Sequence, residues 1–240
     1  MDGSTTPHIR YFPELIQGSD EWLAARLGIL TASEVKHILT PTLKVADNDK
    51  TRAHVYEILA QRISNYVEPT YIGDDMIRGH EDEVWARMAY AEHIAPVQDM
   101  GFIVNSRWGF KIGYSPDGLV GEDGLIECKS RRQGLQVKTI VEHVAVDGGA
   151  TIPAEHALQL QTGLMVSERQ WIDYISYSGG LPMAVIRVWP DDKTQAAIVD
   201  AATAFEEKVA EKLRQYRAAD QVAAVKLIPT ERRVYQEMFT

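Results

Sequence analysis

The sequence predicts an α/β fold, a central mixed β-sheet flanked by helices, with a helical N-terminal part. Two observations carry this. Apolar residues recur at helical spacing in the first third and at the C-terminus, whereas between 102 and 128 the pattern changes to short β-type runs separated by glycine-bearing turns. The resulting order of helices, strands, helix and strands is that of an α/β sandwich.

In chain order, helical patterns cover Asp20 to Leu27, Ala32 to Leu39, Thr51 to Ile63 and Glu81 to Glu92. The β-type runs are FIVN (102–105), FKIGYS (110–115) and LIECK (125–129). A helix from Pro153 to Val166 follows, with proline in a first turn, where its missing N–H costs no helical bond. WIDYISYS (171–178) and MAVIRVW (183–189) are the next strands, and Gly179-Gly180 between them suits a hairpin. The chain then forms an amphipathic helix over 191–217, on which Ile198, Phe205, Val209, Leu213 and Tyr216 share a stripe. Thr42 to Asn48 and 218–230 read as loops. No repeat or low-complexity tract interrupts the pattern, so one domain over residues 1–240 is expected.

A hydrophobic content of 45% is enough for a sizeable core. The net charge of −9 argues against a protein that coats nucleic acid, because affinity for a polyanion comes mostly from lysine and arginine replacing counterions. Local sign differs from net sign, however. Asp74, Asp75, Glu81, Asp82 and Glu83 crowd one stretch, and Lys129, Arg131, Arg132 and Lys138 form a basic patch; each also reads as a solvated surface. The single cysteine, Cys128, excludes an internal disulfide and any iron–sulfur cluster or zinc site built on several thiolates. His37, His80, His143 and His156 lack a zinc-ligand spacing, and no GxxxxGK[ST] loop occurs, so no ATP-driven motor is expected. Without a run of about 20 apolar residues or an apolar N-terminal segment, the expectation is a cytoplasmic protein with no membrane association.

The most informative stretch is SPDGLVGEDGLIECK (115–129). Its three glycines and Asp-Gly pair mark a chain reversal. With the turn centred near Glu122, Asp117 and Glu127 lie opposite one another and share a face. Lys129, two residues beyond Glu127, points to that face as well, and Cys128 to the other. Facing carboxylates repel unless a cation lies between them, and oxygen-only ligands suit a hard ion such as Mg²⁺. An adjacent lysine can orient or help deprotonate the attacking water, hold a scissile phosphate, or neutralise its growing charge. The competing reading is a polar outer face with a weak Glu127–Lys129 ion pair. Leu119, Leu125 and Ile126 argue against it, since they make this a core hairpin.

Elsewhere, Thr31-x-x-Glu34 is a capping box that puts Ser33 in a first turn, where free N–H groups attract anions, and Arg26 stands just upstream. From these residues alone an ordinary capped helix with a surface arginine reads equally well. Glu83 and Arg87 likewise make a plain i,i+4 surface pair.

An Asp preceded by Pro, then Glu-x-Lys on the next strand, resembles the PD-(D/E)XK nuclease superfamily. Five ordered segments are closer to one branch of it. QGSDEWLAARLGILTASEV (17–35), RGHEDEVWAR (78–87), YSPDGLV (114–120), LIECK (125–129) and ALQLQTGLMVS (157–167) resemble the motifs of phage lambda exonuclease-type, YqaJ-like viral recombination nucleases. The resemblance implies a restriction-endonuclease-like core in which Asp117, Glu127 and the main-chain carbonyl of Cys128 hold Mg²⁺, or Mn²⁺, with Glu83 completing the site. Glu81 and Asp82 are neighbouring candidates for that last role. Lys129 and Gln161 would handle the water and the scissile phosphate. Arg26, Ser33 and Ser115 would bind a terminal 5′-phosphate. Gln159 shares the neighbourhood of Gln161, and either Arg131 or Arg132 would hold the DNA end. Trp22 and Leu23 read as core residues of the first helix, although Trp22 also suits the wall of an end-binding cleft.

The implied activity is Mg²⁺-dependent, ATP-independent 5′-to-3′ digestion of one strand of linear duplex DNA to mononucleotides, leaving 3′ tails for phage-type recombination. The implied partners are double-stranded DNA ends, two further copies of the chain in a ring-shaped homotrimer, and a single-strand annealing protein, for which Val234 and Met238 are candidate contacts. Two rivals remain, an endonuclease of the same fold and a protein that binds DNA ends without chemistry. An acidic metal-binding scaffold unrelated to DNA would explain the charge and not the five segments.

Overall fold

The computed structural model describes residues 7–68 and 73–232 and, at 74–76, the main chain only; Val234 and Met238 lie outside the described residues. The chain opens with strand β1 (Ile9–Phe12), helix α1 (Asp20–Arg26), a two-residue strand β2 (Leu30–Thr31) and a six-residue 3₁₀ turn (Ala32–His37). Helices α2 (Asp49–Ser64) and α3 (Asp74–His93) follow. Strands β3 (Phe102–Asn105), β4 (Ile112–Tyr114), β5 (Gly118–Val120) and β6 (Gly124–Ser130) come next, then helix α4 (Gln133–Thr139) running into a π-helical turn (Ile140–Val146). Helix α5 (Ala154–Ser167), strands β7 (Trp171–Tyr177) and β8 (Ala184–Val188) and helix α6 (Asp192–Ala218) complete the fold.

Local chemistry sets the helix ends. Ser19 accepts from the N–H of Trp22 to cap α1, Asn48 accepts from Thr51 to cap α2, and Asn65 ends α2 in the left-handed region at φ 50°. The α3 helix begins at Asp74, seven residues before the expected Glu81, and carries Gly79 in its interior. A glycine there weakens a helix without ending it.

The mixed sheet expected from the sequence is divided in two. One sheet has the order β1-β3-β4-β2 and the other β5-β6-β7-β8. The chain passes from the first to the second through Ser115-Pro116-Asp117, where proline has no N–H to carry a ladder onward. In the second sheet β6 pairs antiparallel with β5 and parallel with β7, and α5 lies on the long crossover between them. The β1 strand, the α4–π segment and the 3₁₀ form of residues 32–37 depart from the elements read in the sequence.

The main core joins Leu30, Ile58, Ile112, Leu125, Leu160, Ile172, Ile198 and Phe205, so α2, α5 and α6 pack with both sheets. A second cluster places Ala86 and Tyr90 of α3 against Val120, Ile126, Cys128 and Ile175. The two clusters lie on opposite faces of β6. Residues 125 and 126 alternate between them, and this alternation decides where Glu127, Cys128 and Lys129 point.

Candidate active site

The three-residue turn Gly121–Asp123, with Gly121 at φ +54°, brings Gly118 opposite Ile126, and the N–H of Asp117 donates to the Ile126 carbonyl. One step further along the register, Asp117 faces Glu127. Both carboxylates are withdrawn from solvent, at 9% and 2% exposure. Asp117 Oδ2 accepts from the N–H of Cys128 at 2.5 Å. Within a strand the N–H and C=O of one residue point to the same edge, so the Cys128 carbonyl faces the Asp117 side too. The Cys128 thiol is buried with Ile126 in the α3 cluster.

Glu127 is held on three sides. The buried Tyr114 hydroxyl donates to Oε2 at 2.7 Å, while Lys129 Nζ at 2.7 Å and Gln159 Nε2 at 2.5 Å donate to Oε1. Lys129 also donates to Gln159 Oε1 at 3.1 Å. Burial, then Glu127 and Glu83, raise the Asp117 pKa well above the ordinary carboxylate value. Glu83 is raised by burial and by Glu127, against the lowering effect of Arg87. Burial opposes the Lys129 ammonium, but Glu127 and Asp117 outweigh it, and its pKa lies above the ordinary lysine value. Lys129 is therefore a fixed cation in this arrangement.

These residues line one cavity of about 590 Å³, into which Glu83 reaches from α3. Arg26, Ser33 and Ser115 line the same cavity. Arg26 lies 4.0 Å over the Trp22 ring and donates to Thr31 Oγ1 at 3.3 Å; its burial lowers its pKa. Trp22 Nε1 donates to Ser115 Oγ at 2.9 Å, which leaves the Ser115 proton to be donated elsewhere. Of the expected capping box, the Glu34 carboxylate accepts from both the N–H and the hydroxyl of Thr31. Of the three neighbouring acids only Glu83 lines the cavity: Asp82 accepts from Ser130 Oγ instead, and Glu81 is exposed.

Three expected residues stand elsewhere. Gln161 does not reach the cavity; it donates to the Trp189 carbonyl at 2.8 Å and accepts from the N–H of Asp191 at 2.9 Å, tying α5 to the start of α6. Two residues along a helix turn the side chain by about 200°, so only one of Gln159 and Gln161 can face the site, and it is Gln159. Arg131 is not on the cavity wall; its guanidinium bonds Glu155 at 3.1 Å and lies 3.0 Å from His156 Nε2. Burial and the charges of Lys129 and Arg131 bring the His156 pKa down to about 4, so His156 is a neutral acceptor. Arg132 occupies the N-cap position of α4 and is not on the cavity wall.

The sequence reading missed Tyr114 and Lys36. Tyr114 immediately precedes SPDG but read only as a strand residue, and Lys36 lies in a segment read as an ordinary α-helix.

Among the described residues, no three His, Cys, Asp or Glu side chains stand together as a ready ligand group. A divalent cation is suited instead by the chemistry of two buried, mutually repelling carboxylates and a carbonyl on one strand edge, all oxygen donors.

Residues 21–170 match the YqaJ-like viral recombinase domain. The chain is similar to an alkaline exonuclease (LHK-Exo) from Laribacter hongkongensis, with 31% identity and a TM-score of 0.72 over 85% of this chain and 100% of that one. A structure of LHK-Exo in complex with dAMP matches at 30% identity and a TM-score of 0.68, with the same coverage. A phage related exonuclease from Haemophilus somnus 129PT, 11% identical over 78% of this chain and 96% of its own, shares the fold with a TM-score of 0.52. No curated protein sequence matches significantly. The family match begins in α1 and runs past α5, so it contains every residue of the cavity described here except Gln17, and the chain belongs to the YqaJ-like viral recombinase family.

Proposed function

We propose that the chain is a Mg²⁺-dependent, ATP-independent exonuclease that enters duplex DNA ends and digests one strand from 5′ to 3′, releasing mononucleotides and leaving a 3′ tail. One observation carries the reading: Arg26, Ser33 and Ser115 line the same cavity as Asp117, Glu127 and Lys129. A terminal phosphate held by the first three puts the first internal linkage at the second three, and that fixes direction. The relative named as an alkaline exonuclease, 31% identical, supports exonuclease activity.

In this reading Arg26, braced on Trp22, grips the terminal phosphate, and Ser115 donates its free proton to it. Asp117, Glu127 and the Cys128 carbonyl hold the cation, with Glu83 beside them. Mg²⁺ there supplies Lewis-acid activation of water and neutralises phosphate charge. Lys129 places its positive charge against the scissile phosphate as negative charge grows in the transition state. Gln159 donates to Glu127 and accepts from Lys129, and so braces the ion pair that the two make directly. Water is the nucleophile, so no covalent intermediate forms.

A homotrimeric ring would reconcile the net charge of −9 with processive binding, because an inner channel can be basic while the outside is acidic. The product tail calls for a single-strand annealing protein, and the setting would be the cytoplasm of a bacterial host carrying a phage or prophage. The test is linear duplex labelled at the 3′ end of one strand, with Mg²⁺ and no ATP, beside a closed circle and a Lys129→Ala variant. Mononucleotides from the linear duplex alone, lost in the variant, support the reading. Cutting of the circle would replace it with an endonuclease, and tight end binding without cleavage with a binding protein.

A further inference from the structure

We propose that Lys36 is the second cation of the terminal-phosphate subsite and makes that subsite selective for a doubly charged phosphomonoester over a hydroxyl or an internal diester. The inference rests on reading the cavity as a 5′-end site.

The 3₁₀ form of residues 32–37 places the lysine. In such a turn, side chains three apart stand one above the other. Ala32 and Val35 therefore share the buried face, at 2% and 0% exposure, and Ser33 and Lys36 share the other, which is cavity wall. An α-helical turn would have offset the two by about 60° on the same side of the helix; the 3₁₀ turn stacks them directly. Among the described residues no carboxylate lies within ion-pair distance of Lys36, whereas Arg62, Arg107, Arg131 and Lys208 each have one. An unpaired ammonium on the wall of a polar cavity, in a chain of net charge −9, is placed to meet an anion from outside.

Charge matching then decides what the anion is. A terminal phosphomonoester carries about −1.5 to −2 near neutral pH, and an internal diester carries one charge. Arg26 alone matches a diester. Arg26 and Lys36 together match a monoester, while Lys129 stands beside Glu127 at the neighbouring, scissile position.

The test compares wild type, Lys36→Met, Lys36→Arg and a control on remote α6, Lys212→Met, on duplexes bearing a 5′-phosphate or a 5′-hydroxyl. A lost charge-assisted hydrogen bond is expected to lower the phosphate-to-hydroxyl rate ratio about tenfold in Lys36→Met. The rate on hydroxyl ends should fall much less than the rate on phosphate ends, and Lys36→Arg should keep most of the ratio. An unchanged ratio, or an equal loss on both ends, overturns the assignment; equal loss makes Lys36 a general backbone contact, with the salt slope reduced for both. A wild type indifferent to the phosphate would sink the end-site reading itself, and the role of Lys36 with it.

Discussion

Asp117 is fixed by the main-chain N–H of Cys128, and this bond holds a carboxylate at the one edge of β6 where β5 has already ended. The strand thus supplies a main-chain donor for one acid, a side-chain acid on the adjacent residue, and a cation two residues later. Function is concentrated where the ladder stops.

The first consequence is a conflict between stability and activity at Asp117. Burial and the charges of Glu127 and Glu83 disfavour its ionised form. Asp117→Asn keeps an acceptor for Cys128 and removes the repulsion. Cleavage should fall at least 100-fold, while the melting temperature measured in EDTA should hold or rise by about 2–4 °C, the shift expected per kcal/mol in a chain of this size. A variant that melts well below wild type would contradict this account of the pair.

The pH dependence follows from the same residues. Asp117 and Glu83 have folded pKa values above their unfolded ones. The folded state therefore binds more protons between those values, and their contribution to stability is lost as pH rises from the ordinary carboxylate range through the raised values. Mg²⁺ should restore it. Melting curves across pH should show a larger Mg²⁺-induced increase at neutral and alkaline pH than at acid pH, and Asp117→Asn should flatten the difference. Equal increases at every pH would mean that the cation binds elsewhere.

Tyr114 is the unexpected member of the site. Its hydroxyl is buried and donates to Glu127, and Gly163 on α5 makes room for its ring, since a Cβ there would stand 2.7 Å from Tyr114 Cζ. Tyr114→Phe removes one donor from a buried carboxylate, at a cost of about 1–3 kcal/mol. Chemical denaturation should show that loss, and half-maximal cleavage should require more Mg²⁺. Unchanged stability and unchanged metal requirement would together dismiss the contact.

Much of this was readable beforehand. The Asp-Gly turn set the register, and the register placed Asp117 opposite Glu127 and sent Cys128 to the other face, as found. The division into two sheets was hidden because Pro116 reads equally as part of a turn. The four-residue β1 and the valine-bearing π segment after α4 have too little periodicity to stand out. Arg131 was legible as a cation but not as a partner of Glu155, which lies 24 residues away and is brought near only by the β6–α5 crossover.

The two glutamines of α5 give the sharpest separation of roles, because the sequence cannot say which one faces inward. Gln159 bonds the two residues at the chemical centre, whereas Gln161 bonds main-chain atoms at Trp189 and Asp191 and receives a bond from Gln195 at 3.3 Å. Gln159→Ala should therefore lose roughly 10- to 100-fold in cleavage rate, from loosened positioning, with little change in melting temperature. Gln161→Ala removes two part-buried hydrogen bonds, one to the Trp189 carbonyl and one from the N–H of Asp191, so it should lose about 1–3 kcal/mol of stability while each folded molecule cleaves normally. Active-site titration together with denaturation separates the two effects. The reverse pattern, a stable and inactive Gln161→Ala, would return the catalytic glutamine to the position the family resemblance first suggested.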